Sequence, residues 1–339
     1  MDVVIVHHHA ADAVRDAVGA LFTDAPLDLH VIVADNGSTS EERELLRSLP
    51  VTYFATGRNA GYAGAINAAL PLVRSELVVA MNEDVLVLPG CLGALREALQ
   101  AGAAAAGPEL YWDRDCMLLL PCTEERTRAN ELLRCRARRD SAALERARSA
   151  WRTHARRHWR SDAPIATESL SGAMLALRRD AIDAIRPFDE AYRLYYEEND
   201  WLLRVAAAGL RSLYVPAAKA IHLHNPAQSA ERVQWEAESF VRFGNRHYGE
   251  RFMRRLLLTS RREAVAPSWP EHSDVADGPL WLEVSPSLWG FPAATARIEG
   301  TLREWPIPPM RGLEHVGGTF YLQLVDDDGR ELARRSFTR

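Results

Sequence analysis

Residues 2–87 alternate between short β-branched runs and longer amphipathic runs, and this alternation restricts the fold more than any other feature of the chain. The strand-like runs VVIV (3–6) and LHVIVAD (29–35) flank the helix-like run ADAVRDAVGALF (11–22). Strands that alternate with helices indicate βαβ units built on a mostly parallel sheet. The sequence therefore predicts an α/β fold in which helices flank a mostly parallel sheet.

Carboxylates follow two of the predicted strands. The alternation continues with strands at 51–56 and 76–81 and helices at 40–49 and 63–73. Asp35 and Asp84 then stand at carboxyl ends of strands, where open α/β sheets bind their ligands. Two adjacent acids, Glu83 and Asp84, can hold a hard divalent cation that neutralises a diphosphate. The alternative is a solvated turn, although the apolar residues that resume at Val85 are unusual for one.

The composition is that of a globular protein with room for two domains. The chain has 339 residues, 47% of them hydrophobic, so it can bury a large core. A net charge of -5 argues against nucleic acid as a partner. Without a long apolar run or a leader-like N-terminus, we expect a cytoplasmic protein. The four cysteines include no C-x-x-C pair, which favours reduced thiols over disulfides or a zinc site.

Four segments of the chain, taken in order, resemble one family. They are VIVADNGSTSEE (31–42), GRNAGYAGAINAAL (57–70), LVVAMNEDVLVLPG (77–90) and the long segment from SGAML to HLHN (171–225). Together they resemble family 2 glycosyltransferases, in particular the rhamnosyltransferase-like branch, over about residues 2–245. The resemblance implies a GT-A fold with a Rossmann-like sheet, a nucleotide-sugar donor, a divalent metal (Mn²⁺ or Mg²⁺) and direct inverting transfer.

The resemblance also implies which residues bind the donor. Asp35 matches the aspartate that pairs with the nucleotide base and ribose, and a carboxylate accepts well from such groups. The alternative is a turn aspartate before Asn36 and Gly37. In RNAGYAGAIN, the resemblance makes Asn59, Gly61 and Asn67 donor-side residues, because small residues let the backbone approach the donor. Without it, these glycines would indicate only a turn and a helix start.

The metal residues follow from the same comparison of motifs. MNEDV stands where the family has Asn-Pro-Asp or Asp-x-Asp, so Asn82 replaces the first acid and Glu83 replaces proline. Asp84 keeps the metal position, and His222 of AIHLHN is the expected second ligand. Asn82 and Glu83 are expected beside the donor, and whether Glu83 also binds the metal stays open. A lone histidine is otherwise a surface or core residue.

The segment YYEENDW places Glu197, Glu198 and Asp200 in the first turn of a predicted helix. The family usually has Glu-Asp-x-Asp here, and the resemblance makes Glu198 the base that deprotonates the acceptor hydroxyl. A helix N-terminus would keep this carboxylate ionised. Taken alone, three acids in a first turn would be interpreted as stabilisation of the helix dipole.

Two stretches depart from the family pattern. HHH at 7–9 replaces a Thr- or Asn-Tyr-Asn turn, and consecutive extended residues cannot share one metal ion. These histidines either contact the nucleotide or form a plain loop. An arginine-rich helical insertion at about 124–162 has twelve arginines against three acids between Arg126 and Arg160. It is either a solvated helical face or a surface for an anionic acceptor such as a lipid diphosphate, with peripheral membrane association.

We therefore predict a GT-A domain at 1–262, a linker at 263–279 and a small β-rich domain at 280–339. Trp281, Trp289 and Trp305 of this last domain either pack in its core or stack on sugars. The predicted function is transfer of a sugar from a dTDP- or UDP-sugar, such as dTDP-rhamnose, to a glycan, lipid-linked or protein-linked hydroxyl. A sugar-phosphate nucleotidyltransferase and a non-catalytic carbohydrate-binding protein are the alternatives.

Overall fold

The computed structural model describes residues 1–24, 29–224, 229–260, 264–267, 269, 272–273, 279–298, 311, 314 and 316–338. These residues form two compact units. The first unit contains residues 1–109, 161–222 and 229–244. The second unit contains the described parts of 110–160, 223–228 and 245–339.

The elements of the first unit alternate as the sequence predicts. Its strands are β1 (Asp2–His7), β2 (His30–Asp35), β3 (Thr52–Ala55), β4 (Leu77–Asn82), β5 (Val85–Val87), β6 (Ala105–Tyr111), β7 (Ile165–Ala166), β8 (Met174–Arg178) and β9 (Ser212–His222). Its helices are α1 (Ala11–Asp24), α2 (Ser40–Ser48), α3 (Gly61–Ala69), α4 (Cys91–Gln100), α7 (Arg179–Ile185), α8 (Glu197–Ala207) and most of α9 (Ala230–His247). The elements up to β4 lie within a few residues of their predicted bounds.

The first unit is built on one large mixed sheet with strand order β3-β2-β1-β4-β8-β6-β9-β5, and β7 also pairs with β9. The strands β3, β2, β1 and β4 run parallel to one another, whereas β8 is antiparallel to β4 and β5 is antiparallel to β9. The predicted α/β fold is confirmed, and its parallel part comprises those first four strands. Val3, Val4 and Ile5 of β1 are fully buried, as expected for a strand covered on both faces.

The second unit combines an antiparallel sheet with arginine-rich helices. Its strands are β10 (His272–Ser273), β11 (Leu280–Ser285), β12 (Ala294–Ile298), β13 (Thr319–Asp326) and β14 (Glu331–Thr338), in the order β10-β14-β13-β11-β12. Its helices are α5 (Arg128–Ala137), α6 (Ser141–Trp159) and α10 (Glu250–Ser260). The predicted β-rich segment is therefore a sheet, and the arginine-rich helices belong to the same unit. The prediction placed all of residues 1–262 in one domain, whereas here the described parts of 110–160 and 245–262 group with the C-terminal segment. Most of the predicted linker at 263–279 lies outside the described residues.

One face of α6 is buried, and three of its arginines lie on that face, which neither of the two sequence alternatives, a solvated helical face or an acceptor surface, had anticipated. Arg152 donates from Nε and Nη2 to the two carboxylate oxygens of Glu283, each at 2.8 Å. Arg156 donates to the carbonyl oxygens of Asp326 and Asp327, also at 2.8 Å. Arg148 is only 1% exposed and donates to the carbonyl oxygen of Trp289. These arginines attach α6 to the sheet because buried guanidinium groups need acceptors.

The tryptophans of the C-terminal strands take part in packing. Trp281 is 2% exposed and stacks against Trp159 of α6, with ring centroids 6.1 Å apart. Trp289 packs against the apolar cluster that contains Trp151 and Phe291. These contacts favour the core alternative over sugar stacking for both residues. Trp305 lies outside the described residues.

Candidate active site

The carboxyl ends of β1, β2 and β4 lie side by side in the first unit. His7 of β1 pairs in register with Asp35 of β2, and Val6 of β1 pairs with Asn82 of β4. Strand ends of a parallel sheet meet at one edge, where ligands of such sheets bind. Every predicted site residue lies in this unit.

Asp35 is held by hydrogen bonds from its own loop and from β3. Its Oδ1 accepts from the backbone N–H groups of Gly37 and Ser38 at 2.9 Å, and its Oδ2 accepts from the Tyr53 hydroxyl at 2.5 Å. Burial raises the pKa of Asp35, but these hydrogen bonds outweigh it and hold the pKa below its ordinary value. Burial and the bond to Asp35 raise the pKa of Tyr53 to about 12. Asp35 is thus ionised at neutral pH, and its Oδ2 can still accept a second hydrogen bond from a ligand.

The turn before α3 is fixed by two asparagines and a glycine. Asn36 donates from Nδ2 to the carbonyl oxygen of Gly61 at 3.0 Å, and Asn59 Oδ1 accepts from the Gly61 N–H at 3.0 Å. Gly61 has φ 73°, and a Cβ there would lie 2.6 Å from the carbonyl oxygen of Arg193. Only glycine fits this position. Asn36 was not predicted as a site residue, although it stands next to Asp35 in the same motif.

Asn67 bonds to the segment that precedes α8. Its Nδ2 donates to the carbonyl oxygen of Phe188 at 2.8 Å and to Glu190 Oε1 at 3.0 Å. Its Oδ1 accepts from the N–H of Phe188 at 3.2 Å. The side chain of Asn67 therefore attaches α3 to residues 188–190, and these bonds are its contacts in this structure. Its donor-side role stays a prediction.

Glu83 pairs with the histidine that ends β1. The Oε2 atom of Glu83 lies 2.8 Å from Nδ1 of His7 and accepts from the backbone N–H of His8 at 2.7 Å. Burial raises the pKa of Glu83 despite these two bonds. The His7 side chain is fully buried, whereas His8 and His9 are exposed. The two sequence alternatives for HHH, nucleotide contact or a plain loop, both missed this buried pair. Asn82 is half-buried at the end of β4.

Asp84 and His222 are brought together by the pairing of β5 with β9. Val85 pairs in register with His222, and Asp84 Oδ1 lies 3.3 Å from His222 Nε2. The described residues contain no group of three or more His, Cys, Asp or Glu side chains suited to a metal ion. A carboxylate and an imidazole fit Mn²⁺ or Mg²⁺ if phosphate oxygens and water complete the shell. The donor set thus fits the predicted metal.

The three acids at the start of α8 have different surroundings. Glu197 is 4% exposed and its Oε2 has no hydrogen-bond partner, so burial and the charge of Glu198 raise the pKa of Glu197 well above its ordinary value. Asp200 is fully buried and forms an ion pair with Arg204 at 2.9 Å. Glu198 is half-buried, and its Oε1 accepts from Asn199 Nδ2 at 2.6 Å.

Tyr62 connects the metal candidates with the acids of α8. Burial raises the pKa of Tyr62 well above its ordinary value, and the nearby charges of Glu197, Glu198 and Asp84 raise it further. The Tyr62 hydroxyl donates to the carbonyl oxygen of Gly172 at 2.7 Å. A Cβ on Gly172 would lie 3.2 Å from Cδ of Glu198. Tyr62 occupies the aromatic position of the Asn-x-Gly-aromatic-x-Gly segment, a signal that could have identified it.

The backbone is strained immediately before α8. Tyr195 and Tyr196 have φ angles of 64° and 70°, and left-handed backbone is rare for aromatic residues. The ring of Tyr196 packs against Phe240 and Phe243 of α9. The Tyr195 hydroxyl accepts from Arg232 at 3.2 Å. Such strain occurs mainly at functional sites, where the surrounding packing maintains it.

Both a family model and two curated relatives that match this chain are glycosyltransferases. A family model described as glycosyl transferase family 2 matches residues 2–139. The N-acetylglucosaminyl-diphospho-decaprenol L-rhamnosyltransferase of two Mycobacterium tuberculosis strains, CDC 1551 and H37Rv, is 31% identical over 219 residues. That alignment covers 60% of this chain and 68% of the relative.

Two solved structures share the fold. The mannosyltransferase PcManGT from Pyrobaculum calidifontis, in complex with GDP-Man and Mn²⁺, has a TM-score of 0.51 at 17% identity. That match covers 76% of this chain and 68% of that chain. GalNAc-T7 with UDP, GalNAc and Mn²⁺ has a TM-score of 0.50 at 12% identity, covering 98% of this chain and 71% of that chain. At these identities the likeness concerns the fold alone.

Proposed function

The chain belongs to glycosyl transferase family 2, and from this premise we propose that it is a metal-dependent, inverting glycosyltransferase. The proposed donor is a dTDP- or UDP-sugar, such as dTDP-rhamnose, and the proposed acceptor is a hydroxyl of a lipid-linked glycan. A lipid diphosphate acceptor is supported by the name of the mycobacterial relative. The glycosyltransferase prediction is thereby preferred over its two alternatives. A cytoplasmic location stays a prediction.

The observation that carries the proposal is the pair formed by Asp84 and His222. Their side chains lie 3.3 Å apart at the edge where the parallel strands end. They would hold the divalent ion, which when bound neutralises the charge of the donor diphosphate. Asp35 would accept hydrogen bonds from the nucleoside, and Gly61 would shape the donor side by allowing the backbone of residue 193 to approach α3 closely.

Glu198 is the residue proposed to accept the proton of the acceptor hydroxyl. A base must be ionised at the working pH and must be able to reach its substrate. Burial and the charge of Glu198 raise the pKa of Glu197, which disfavours its ionised form, and Asp200 forms an ion pair with Arg204 in the interior. Glu198 is more exposed than either and lies near Tyr62, together with Asp84. In the proposed displacement the hydroxyl attacks as the nucleoside diphosphate leaves, which inverts the anomeric centre.

Thermal unfolding with nucleoside diphosphates tests the proposed metal site. We expect UDP or dTDP to raise the melting temperature when Mn²⁺ is present and to have little effect in EDTA. A ligand at 100 times its dissociation constant adds about 2.7 kcal/mol of stability, which a melting curve resolves. Asp84→Asn should abolish the part that depends on Mn²⁺, whereas Asp12→Asn on the exposed face of α1 should preserve it.

The opposite result would remove the metal from the proposal. An equal shift in Mn²⁺ and in EDTA would mean that the nucleotide binds without a metal ion. The reaction itself is tested separately, by release of the free nucleoside diphosphate from a nucleotide sugar when acceptor is added. Release of pyrophosphate from a sugar phosphate and a nucleoside triphosphate would instead indicate a nucleotidyltransferase.

A further inference from the structure

The second unit exposes a basic surface on two neighbouring helices, which we call the α5–α10 surface. It consists of the exposed arginines and large apolar side chains on α5 and α10 and of one residue after α10, namely Arg128, Leu132, Arg136, Arg251, Arg254, Arg255, Leu258 and Val265. The members on each helix are spaced by three or four residues. Residues with this spacing form one stripe along a helix.

Contacts at both ends align the two helices. Near their starts, the guanidinium of Arg128 lies 5.7 Å from the centre of the Phe252 ring. Near their ends, Arg139 donates a hydrogen bond to the carbonyl oxygen of Thr259. The backbone N–H of Val265 donates to the carbonyl oxygen of Arg138 at 2.9 Å, which brings Val265 to the same end. The helices therefore run side by side in the same direction, and their stripes form one surface.

The charge of this surface is almost entirely positive. Five of its members are arginines. The only acid in α5 is Glu131, which is buried beside Arg126, and the only acid in α10 is its first residue, the exposed Glu250. Five positive charges with so little compensation attract an anionic partner.

The same surface exposes apolar side chains. Leu132 is 37% exposed, Leu258 is 57% exposed and Val265 is 66% exposed. They are three of the seven large apolar side chains that are exposed in the described part of the chain. A nucleic acid or another hydrophilic polyanion gains nothing from these residues, whereas a lipid surface accepts both arginines and apolar side chains.

We propose that the α5–α10 surface binds the face of a bilayer that contains anionic phospholipids. The arginines would contact the lipid phosphates, and Leu258 and Val265 would enter the boundary between headgroups and acyl chains. The sequence prediction had placed membrane association on the whole arginine-rich insertion. The structure excludes Arg152 and Arg156 of α6 from this role because both are buried and bonded within the unit. This proposal does not depend on the proposed reaction, since binding to vesicles requires neither substrate.

Cosedimentation with vesicles tests the proposal. We expect the protein to bind vesicles of phosphatidylcholine mixed with phosphatidylglycerol, and not vesicles of phosphatidylcholine alone. Arg251→Gln, Arg254→Gln and Arg255→Gln combined should lower the partition coefficient about a hundredfold, since each arginine near an anionic surface contributes about fivefold. Leu258→Ser should weaken the binding that remains at high salt, because exposed charges are screened there.

A matched control removes charge from other helices. Arg15→Gln, Arg146→Gln and Arg157→Gln combined change exposed arginines of α1 and α6 and should leave the partition coefficient within threefold of the parent. Equal loss in both triple variants would show that net charge alone drives binding and would overturn the proposal. Equal binding to the two kinds of vesicle would also overturn it. A third contrary result would be that a hydrophilic polyanion displaces the protein from vesicles while Leu258→Ser binds vesicles at high salt as well as the parent does. Near-native circular dichroism of each variant excludes misfolding as the cause.

Discussion

Three neighbouring acids at the start of α8 show how far surroundings decide what a residue can do. Glu197, Glu198 and Asp200 differ little in sequence, and all three lie in one helical turn. Burial and the charge of Glu198 raise the pKa of Glu197, an ion pair holds Asp200, and Glu198 remains accessible beside Gly172. Assignment of the base therefore depends on which carboxyl is both ionised and reachable.

Substitution of each acid by its amide separates these roles. Glu198→Gln keeps the size of the side chain but removes the proton acceptor, so transfer should fall by roughly 10²–10⁴ while donor affinity is kept. Asp200→Asn should mainly lower the free energy of unfolding, because Arg204 loses its carboxylate partner and keeps only its bonds to backbone carbonyl oxygens. Single-turnover transfer at saturating donor, beside donor affinity by calorimetry, checks both. If Glu198→Gln transfers the sugar at a rate within tenfold of the parent, while Asp200→Asn is inactive but still binds donor, Asp200 is the base.

The raised pKa of Glu197 predicts a dependence of stability on pH. Its ordinary pKa is about 4.3, and above that value the unfolded chain releases a proton that the folded chain still holds. The free energy of unfolding therefore falls as pH rises from 4.3 towards the folded pKa, by up to about 1.4 kcal/mol per pH unit from this group. Glu197→Gln has no such proton, so relative to the parent it should gain stability between pH 5 and pH 8. Urea unfolding at both pH values measures this.

The control for that measurement is Glu44→Gln, on the exposed face of α2. It should shift stability equally at the two pH values. A Glu197→Gln variant that behaves like Glu44→Gln would show that Glu197 is ionised in the folded protein. The charge of Glu198 on the same helix raises the pKa of Glu197, and the charge of Glu197 in turn raises the pKa of Tyr62 and of Tyr195.

The family's motifs pointed to residues that are distant in sequence but close in space. Asp84 follows its strand directly, and its family position led to the pairing with His222 that the structure contains. The partner of Glu83 could not be predicted in this way. It is His7, and the two meet because β1 and β4 adjoin in the sheet, a fact of strand order that no local pattern contains.

The start of α3 is the element whose geometry depends most on one residue. Gly61 is left-handed, and a methyl group there would meet the Arg193 carbonyl oxygen at 2.6 Å. Gly61→Ala should therefore lower the free energy of unfolding by at least about 1 kcal/mol, since left-handed backbone alone costs an L-residue that much. It should also weaken donor binding. Thermal or urea unfolding provides the measurement.

Gly93 in α4 is the matched control for Gly61. It has no left-handed φ, and a Cβ there would meet nothing within 4 Å. Gly93→Ala should be neutral or stabilising, because alanine is the better helix former by up to about 1 kcal/mol. Equal stability of Gly61→Ala and Gly93→Ala would contradict the close approach of residue 193 to α3.

Local periodicity predicted the elements up to β4 because each was a short, self-contained pattern. It did not predict the antiparallel strands β8 and β5, since strand direction depends on how the chain returns to the sheet after long connections. It also misjudged α6. The arginine-rich composition is typical of a solvated helix, whereas the structure satisfies Arg152 with Glu283, 131 residues away in sequence.

At the scale of the whole molecule, we expect the second unit to unfold as one cooperative unit when it is destabilised. Arg152→Ala leaves the buried Glu283 without its partner, which typically lowers stability by about 3–5 kcal/mol. Hydrogen exchange should then speed up together in α6, β11 and β13, although they are far apart in sequence. Arg157→Ala, on the exposed face of the same helix, should change stability by no more than about 0.5 kcal/mol. Faster exchange confined to α6 would contradict a single unit.

The discontinuity of that unit has a consequence during synthesis of the chain on the ribosome. Trp151 of α6 lies in one cluster with Phe291 and Ala293, so the residues that cover it are made about 140 residues later. At roughly 5–20 residues per second, this delay is of the order of 10 s. For that time the nascent chain carries an amphipathic helix whose apolar face is not yet covered by these residues. Chaperones that bind such segments should therefore associate with ribosomes that have passed residue 160 but have not yet reached the C-terminal strands.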